Sequence, residues 1–350
     1  MSMVHAREQF TSQELAIVLS HYDLGIVHGA AEFPRGSHAS AKIVVNTDRG
    51  KYLVKRRPRG KDDPFRVAFA HALQNYLAGK NFPLPHLIGT KEQNNSMLKL
   101  GDAIYEVFEY VDGGPYDASH HATVEAGKTL ALYHRLVRDF HPEWQPPRGQ
   151  YHDSNSVREA MPRMAMLLSR RDSSAGKEPI VAATVDALAD AYNAAAAAVN
   201  DLGFPRWETQ IVHSDWHPGN MIFDKGNVVA VIDYDAARIR PRVTDIANGC
   251  LQFSMITGGR NLDAWSERTD TERSCKFLQG YDDLNVISEA EITAIPFLMQ
   301  EALIAQAVPP ILKTGTFAGL DGLPFLGVML KKLNWLNEHR DEIRLNADGT

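Results

Sequence analysis

Residues Val212 to Ala236 read VHSDWHPGNMIFDKGNVVAVIDYDA, and the reading of this stretch decides the fold. Asp215 and Asn220 fall in one loop between apolar runs, and Asp233 and Asp235 close the next apolar segment. Apolar segments with acids at their ends are how a scaffold holds carboxylates out for chemistry. Met221-Ile222-Phe223, the turn Asp224-Lys225-Gly226-Asn227 and Val228 to Ile232 predict a hairpin, with positive φ at Gly226 or Asn227. Folding back along it returns Asp233 beside the loop of Asp215 and Asn220. Asp235 shares the face of Asp233 if the strand persists, as a second metal contact or a contact to substrate.

His213-Ser214-Asp215 followed by Asn220 has the H-x-D-x-x-x-x-N spacing of a kinase catalytic loop. Phosphoryl transfer needs a carboxylate at the acceptor hydroxyl and side-chain oxygens that hold magnesium on the phosphates. Taken singly, Asp215, Asn220 and Asp233 are as well read as turn or cap residues; the spacing and the hairpin together favour catalysis. A rival reading makes His213, Asp215, His217, Asp233 and Asp235 the ligands of a metallohydrolase. That chemistry needs histidines on later loops, and only His339 follows His217. It also leaves Asn220 and an upstream lysine, Lys55, unused.

Upstream, Thr11-Ser12-Gln13-Glu14 predicts a capped helix, followed by β-like runs at 26–33 and 41–45. Between those runs lies Pro34-Arg35-Gly36-Ser37-His38-Ala39-Ser40, a loop whose amides, at Ser37 and His38, can point at a phosphate or can simply close a hairpin. Asn46 to Gly50 is turn chemistry leading into a strand that ends near Lys55, on the Leu53 face. A lysine there contacts phosphate as a point charge or is an exposed edge residue. Residues 64–79 predict an amphipathic helix, and 97–100 with 103–111 a further strand pair. Asp112-Gly113-Gly114-Pro115 then breaks regular structure. Helices dominate afterwards: 124–139, 154–171 broken near Pro162, 180–202, 244–257, 271–281, 288–308 and 325–339. The expectation is an α+β chain with an antiparallel-sheet domain at 1–111 and a mainly helical domain at 112–350.

Composition is that of an ordinary globular chain, at 44% hydrophobic and 23% charged residues. Residues 1–110 hold 14 Lys and Arg against 11 Asp and Glu; residues 111–350 hold 23 against 32. Nucleic-acid binding calls for a broader basic surface, so no nucleic-acid partner is expected. The polar N-terminus predicts no leader, and no apolar run approaches a membrane span. Two cysteines, Cys250 and Cys275, make no disulfide framework and fit a reducing, cytoplasmic setting.

HSDWHPGN followed by VIDYD resembles the aminoglycoside phosphotransferase and homoserine kinase-like family. The resemblance implies a protein-kinase-like, two-lobed fold with ATP in the cleft and a small-molecule hydroxyl as acceptor. By position it implies Lys55 at the α/β-phosphates, and Glu109 and Val111 as a hinge whose backbone bonds adenine. It implies Asp215 as base, Asn220 and Asp233 as magnesium ligands, Asp245 as a brace of the catalytic loop, and a structural His213. Three departures accompany it. The loop at 34–40 lacks the protein-kinase glycine pattern. The helix at 64–79 holds no glutamate for Lys55, leaving His71 or Glu106 as substitutes. Tyr234-Asp235 replaces Phe-Gly, and no activation segment follows. The missing helix glutamate admits a second reading, a nucleotide-binding pseudokinase acting through a partner. The acidic second part suits an amine-bearing acceptor resembling homoserine, choline or an aminosugar. Arg238, Arg240 and Arg242 either hold a carboxylate or are solvated charges.

Overall fold

The structure is a computed structural model that describes residues 7–34, 36 and 39–345. Ser37 and His38, expected at a phosphate, lie outside the described residues. The strands are β1 (Val27–Glu32), β2 (Lys42–Thr47), β3 (Gly50–Arg56), β4 (Leu98–Leu100), β5 (Ala103–Glu109), β6 (Gln210–Val212), β7 (Met221–Asp224), β8 (Asn227–Val231) and β9 (Arg238–Arg240). The helices that matter below are α1 (Ser12–Ser20), α2 (Pro64–Ala78), α3 (His120–Leu136), α4 (Asn155–Ser169), α5 (Glu178–Asp201), α6 (Val243–Ser254), α7 (Thr271–Asp282), α8 (Glu289–Thr314) and α9 (Gly322–Glu338). They form two compact units. One takes the described residues up to Pro115 with Asp139–Pro147 and Asn220–Ala237; the other takes Tyr116–Arg138, Arg148–Gly219 and the residues from Arg238 onward.

The first unit is built on an antiparallel sheet of order β1-β2-β3-β5-β4. Alternation along its strands splits the side chains between two faces. Val45, Val54, Leu98, Tyr105 and Val107 form one apolar face, covered by Val18 of α1 with Tyr22 and Leu24. Thr11 and Glu14 close a capping box that starts α1. The opposite face carries the intervening residues. Lys42 pairs with Lys55, and Lys55 pairs with Glu106, so three charged side chains form one row across β2, β3 and β5. Helix α2 starts on an Asp63 cap with Pro64 in its first turn and buries His71 toward this face. The β7–β8 hairpin belongs to the same unit. Its turn takes positive φ at Lys225 and Gly226, one residue earlier than Asn227 would place it. Gly114 exchanges two backbone hydrogen bonds with Phe223, at 2.8 and 2.9 Å. A Cβ on Gly113 would stand 2.8 Å from the Phe223 carbonyl oxygen, so the chain after β5 needs glycine to lie against β7.

The second unit is helical around the β6–β9 ladder. Helices α3 and α7 pack closely because glycines face backbone: a Cβ on Gly127 would stand 2.1 Å from the Phe277 carbonyl, and one on Gly280 would stand 2.1 Å from that of Val124. Pro162 does not end its helix; α4 runs through it. Helix α8 also runs further than sequence periodicity suggested and contains Pro296, Pro309 and Pro310. The same helix bears on the membrane reading. Helix α8 is long and apolar enough to cross a membrane by length and composition, but 72% of its most apolar window is buried within the protein. It is the core helix of the unit, packed on α4, α5, α6 and α9. Cys250 is buried in α6 and Cys275 lies on α7; neither forms a disulfide.

Candidate active site

Lys55 has an acid partner, and it comes from the sheet. Glu106 on β5 stands opposite Lys55 on β3, with Nζ 3.2 Å from Oε2. The other oxygen, Oε1, is held by Arg57 Nη1 at 2.5 Å and by His71 Nε2 at 2.7 Å. His71 Nδ1 is in turn 2.8 Å from the Ser96 hydroxyl. Glu106 is 1% exposed. Burial alone would raise its carboxyl, but Lys55, the His71 hydrogen bond and Arg57 outweigh that and hold it well below the usual range. The helix therefore contributes a histidine, and the neighbouring strand contributes the carboxylate. Of the two substitutes named from sequence, Glu106 pairs with Lys55, and His71 holds Glu106 in place.

Lys42 and Arg57 are additions that sequence reading did not single out. Burial and the neighbouring Lys55 push the Lys42 amine down, while Asp233 pulls it up. Arg57 joins Glu106 to Asp235, with Nη2 2.5 Å from Asp235 Oδ1. Lys42 stands across from Lys55 through the β2–β3 register, which the sequence alone does not show. Arg57 carries no mark in sequence either.

The hairpin sets the acids of this unit. The Ile232 N–H donates to the Asn220 carbonyl at 2.9 Å, which fixes Asn220 next to the residue preceding Asp233. The strand does not persist through Asp235. Asp233 turns left-handed at φ 65°, and Tyr234–Ala236 wind into a 3-10 turn. Asp233 is exposed, whereas Asp235 is spent on Arg57. With the strand ended, Asp235 no longer shares a strand face with Asp233, and its Oδ1 faces Arg57. Where the hinge is expected, the Glu109 N–H donates to the His86 carbonyl at 2.9 Å, and the Val111 N–H has no partner among the described residues.

The loop that carries Asp215 leaves β6 in the second unit. Asp245, 1% exposed on α6, accepts the His213 N–H at 2.6 Å and the Ser214 N–H at 2.8 Å. Ser214 takes positive φ, a conformation that a β-branched residue would resist. Asn248, one turn along α6, donates to the Trp216 carbonyl at 3.2 Å and accepts from Gln306 at 2.6 Å. Helix α6 therefore grips the loop on both sides of Asp215. His213 is fully buried, edge-on to Trp216 and Tyr133, so it packs under the loop. The His217 ring accepts the Gly219 N–H at 3.0 Å and stands 3.6 Å from Asp215. Among the described residues no group of three His, Cys, Asp or Glu is placed to hold a metal, and the two histidines that the hydrolase reading needed are a core residue and a loop brace.

Downstream on β9, Arg238 pairs with Val212, the last residue of β6. Arg238 Nη1 and Arg240 Nη2 both donate to the Gly149 carbonyl, at 3.1 and 2.6 Å. Burial and Arg240 push the Arg238 guanidinium down; Asp245 and Asp215 pull it back up. Arg242 is committed elsewhere, to Glu291 at 2.8 Å and Asn285 at 2.6 Å.

The profile of the phosphotransferase enzyme family matches residues 30–278, a span that contains Lys55, Glu106, Asp215, Asn220 and Asp233. The chain belongs to that family. Its relatives include a homoserine kinase of Gluconobacter oxydans, 26% identical over 310 residues that cover 85% of this chain and 86% of the relative. A homoserine kinase of Rhodospirillum rubrum is 24% identical, covering 83% of each. Among solved structures, an aminoglycoside phosphotransferase from Alicyclobacillus acidocaldarius has a TM-score of 0.71 at 18% identity, covering 97% of this chain and 98% of its own. The fold is that of protein-kinase-like small-molecule kinases, and this family member is a small-molecule phosphotransferase.

Proposed function

We propose that the chain moves the γ-phosphate of ATP, with magnesium, to the hydroxyl of a small acceptor that bears both an amine and a carboxylate, as homoserine does. The observation that carries the nucleotide half is the hairpin contact between Asn220 and Ile232, which keeps Asn220 beside Asp233. The Asp233 carboxylate is exposed and has no hydrogen bond or ion pair among the described residues. One free carboxylate with one side-chain amide suits magnesium, which takes its remaining ligands from phosphate and water and needs no cluster of three acids. Bound there, the ion would neutralise charge on the phosphates. Lys55, oriented by Glu106, would meet the α- and β-phosphates, with Lys42 beside it on the same face. The Glu109 carbonyl and Val111 N–H would receive adenine. Asp215, held by the two α6 grips, would orient the acceptor hydroxyl and take its proton. The pseudokinase reading rested on a lysine without an acid, and Glu106 supplies one.

Two observations support the acceptor. Arg238 and Arg240 share one face of β9 and bear on the Gly149 carbonyl, and Arg238 is within electrostatic reach of Asp215. Two guanidinium groups there suit a carboxylate. The nearest chemistry among the relatives named above is that of homoserine kinases. The decisive experiment is a magnesium–ATP turnover screen that contrasts L-homoserine with 3-aminopropan-1-ol, the same skeleton without its carboxylate. Preference for homoserine by about tenfold or more in kcat/KM supports the reading. Equal turnover removes the carboxylate assignment, and no turnover of any hydroxylated amine, amino acid or sugar removes the acceptor class.

A further inference from the structure

The second unit has a cavity of about 730 Å³ that none of the catalytic residues lines. Arg135, Arg138, Arg206 and Arg242 face it, against only Glu208 and Glu291. Glu291 is already bound by Arg242. Among the described residues the Arg138 and Arg206 guanidinium groups have no hydrogen-bond or ion-pair partner. This basic concavity sits in a part of the chain where acids outnumber bases, 32 to 23 over residues 111–350. A local reversal of charge in a concave wall concentrates anions, and guanidinium pairs bind phosphate and carboxylate in bidentate fashion.

The wall of this cavity is wired to the catalytic loop. Arg242 Nη1 donates to Asn285 Oδ1 at 2.6 Å, and Asn285 Nδ2 donates to the Tyr281 hydroxyl at 3.1 Å. The Tyr281 hydroxyl is 2.8 Å from His134 Nδ1, and His134 Nε2 is 3.3 Å from Asp245 Oδ2. Burial pushes the His134 imidazole down, so it is neutral at ordinary pH. With Asp245 accepting, the proton sits on Nε2, and Nδ1 accepts from Tyr281. Asp245 is the residue that holds the His213 and Ser214 amides. A second strut comes from Gln210, which lines the cavity and donates to the His134 carbonyl at 3.3 Å. Tyr281, His134 and Asp245 are each buried, so the relay is shielded from water.

We propose that this cavity is an effector site for a small polyanion with at least two phosphate or carboxylate groups, and that its occupancy reaches the loop of Asp215 through Asn285, Tyr281, His134 and Asp245. The binding half stands on the cavity alone; the coupling half rests on the kinase reading. The probe is 3-phosphoglycerate, titrated by calorimetry into magnesium-free wild type, Lys55→Ala and Arg138→Ser/Arg206→Ser. Wild type and Lys55→Ala should bind alike, and the double-arginine variant should bind about tenfold more weakly or not at all. Absence of binding, retention in the double-arginine variant, or loss in Lys55→Ala overturns the site. Coupling is read from turnover of L-homoserine with and without saturating probe. A change of about twofold or more in wild type that is lost in Asn285→Ala, with binding kept, supports the relay. Binding without any change in turnover overturns the coupling and leaves the kinase reading untouched, since basal turnover tests that separately.

Discussion

Glu106 meets Lys55, Arg57 and His71 at once, and it was only half legible. The sequence showed a helix without the acid that a lysine requires and named two residues that fill the gap. It could not show that they act together, because the pairing of β3 with β5 spans about fifty positions and depends on register. Glu106→Gln keeps the shape and removes the charge that orients Lys55. Its effect should fall on nucleotide use: a rise of about tenfold in KM for ATP and a fall in kcat of about ten- to a hundredfold, measured by steady-state kinetics with a fixed acceptor. Asp215→Ala should lower kcat by about three orders of magnitude while ATP binding, followed by calorimetry, stays within about threefold of wild type. A variant that turns over at the wild-type rate would remove Asp215 from its role as base.

At the scale of elements, the β7–β8 hairpin was the most readable part of the chain. Its turn dipeptide and its apolar strands are local signals, and local signals survive without knowledge of the fold. Asp245 was placed only by resemblance, since nothing in TDIANG says that its carboxylate takes two amides of a distant loop. Helix ends were misjudged where proline or a buried apolar length carried the helix onward, as in α4 and α8. Asp245→Ala leaves two loop amides without acceptors; it should cost about 2–4 kcal/mol in urea unfolding of the second unit and abolish most turnover. Asp245→Asn retains one acceptor oxygen and should lie between that variant and wild type. The crossing of α3 and α7 makes a separate claim. Gly127→Ala drives a methyl into the Phe277 carbonyl, and loss of about 1–3 kcal/mol is expected by the same measurement. An unchanged unfolding midpoint would mean that the helices separate without cost.

Across the whole molecule, burial pushes Glu301 up, but two other glutamates are held ionised by their partners. Glu106 in the first unit is held below its ordinary range despite burial, by Lys55, His71 and Arg57. Glu291 in the second is held down despite burial by Arg242 and the Ser288 cap. A carboxyl whose folded value is depressed stabilises the protein above its unfolded value, about 4.3 for glutamate, and loses that contribution as pH falls through the folded value. Stability should thus be flat near neutrality and decline below about pH 4. Acid titration followed by circular dichroism should show Glu106→Gln starting from a lower stability but falling less steeply over that window. An equal slope in both proteins would show that the glutamate is not what acid attacks.

The place of Glu106 has a bearing on control. A lysine whose acid rides on a mobile helix can be disarmed by swinging that helix away, and much kinase signalling works through that movement. Here lysine and acid are cross-strand neighbours on β3 and β5, so no helix movement sets their backbone positions. If Lys55 meets phosphate as proposed, its acid cannot be carried off by a swing of helix α2. Throttling must come from elsewhere: from how much acceptor arrives, from how much protein is made, or from the helical unit that holds Asp215.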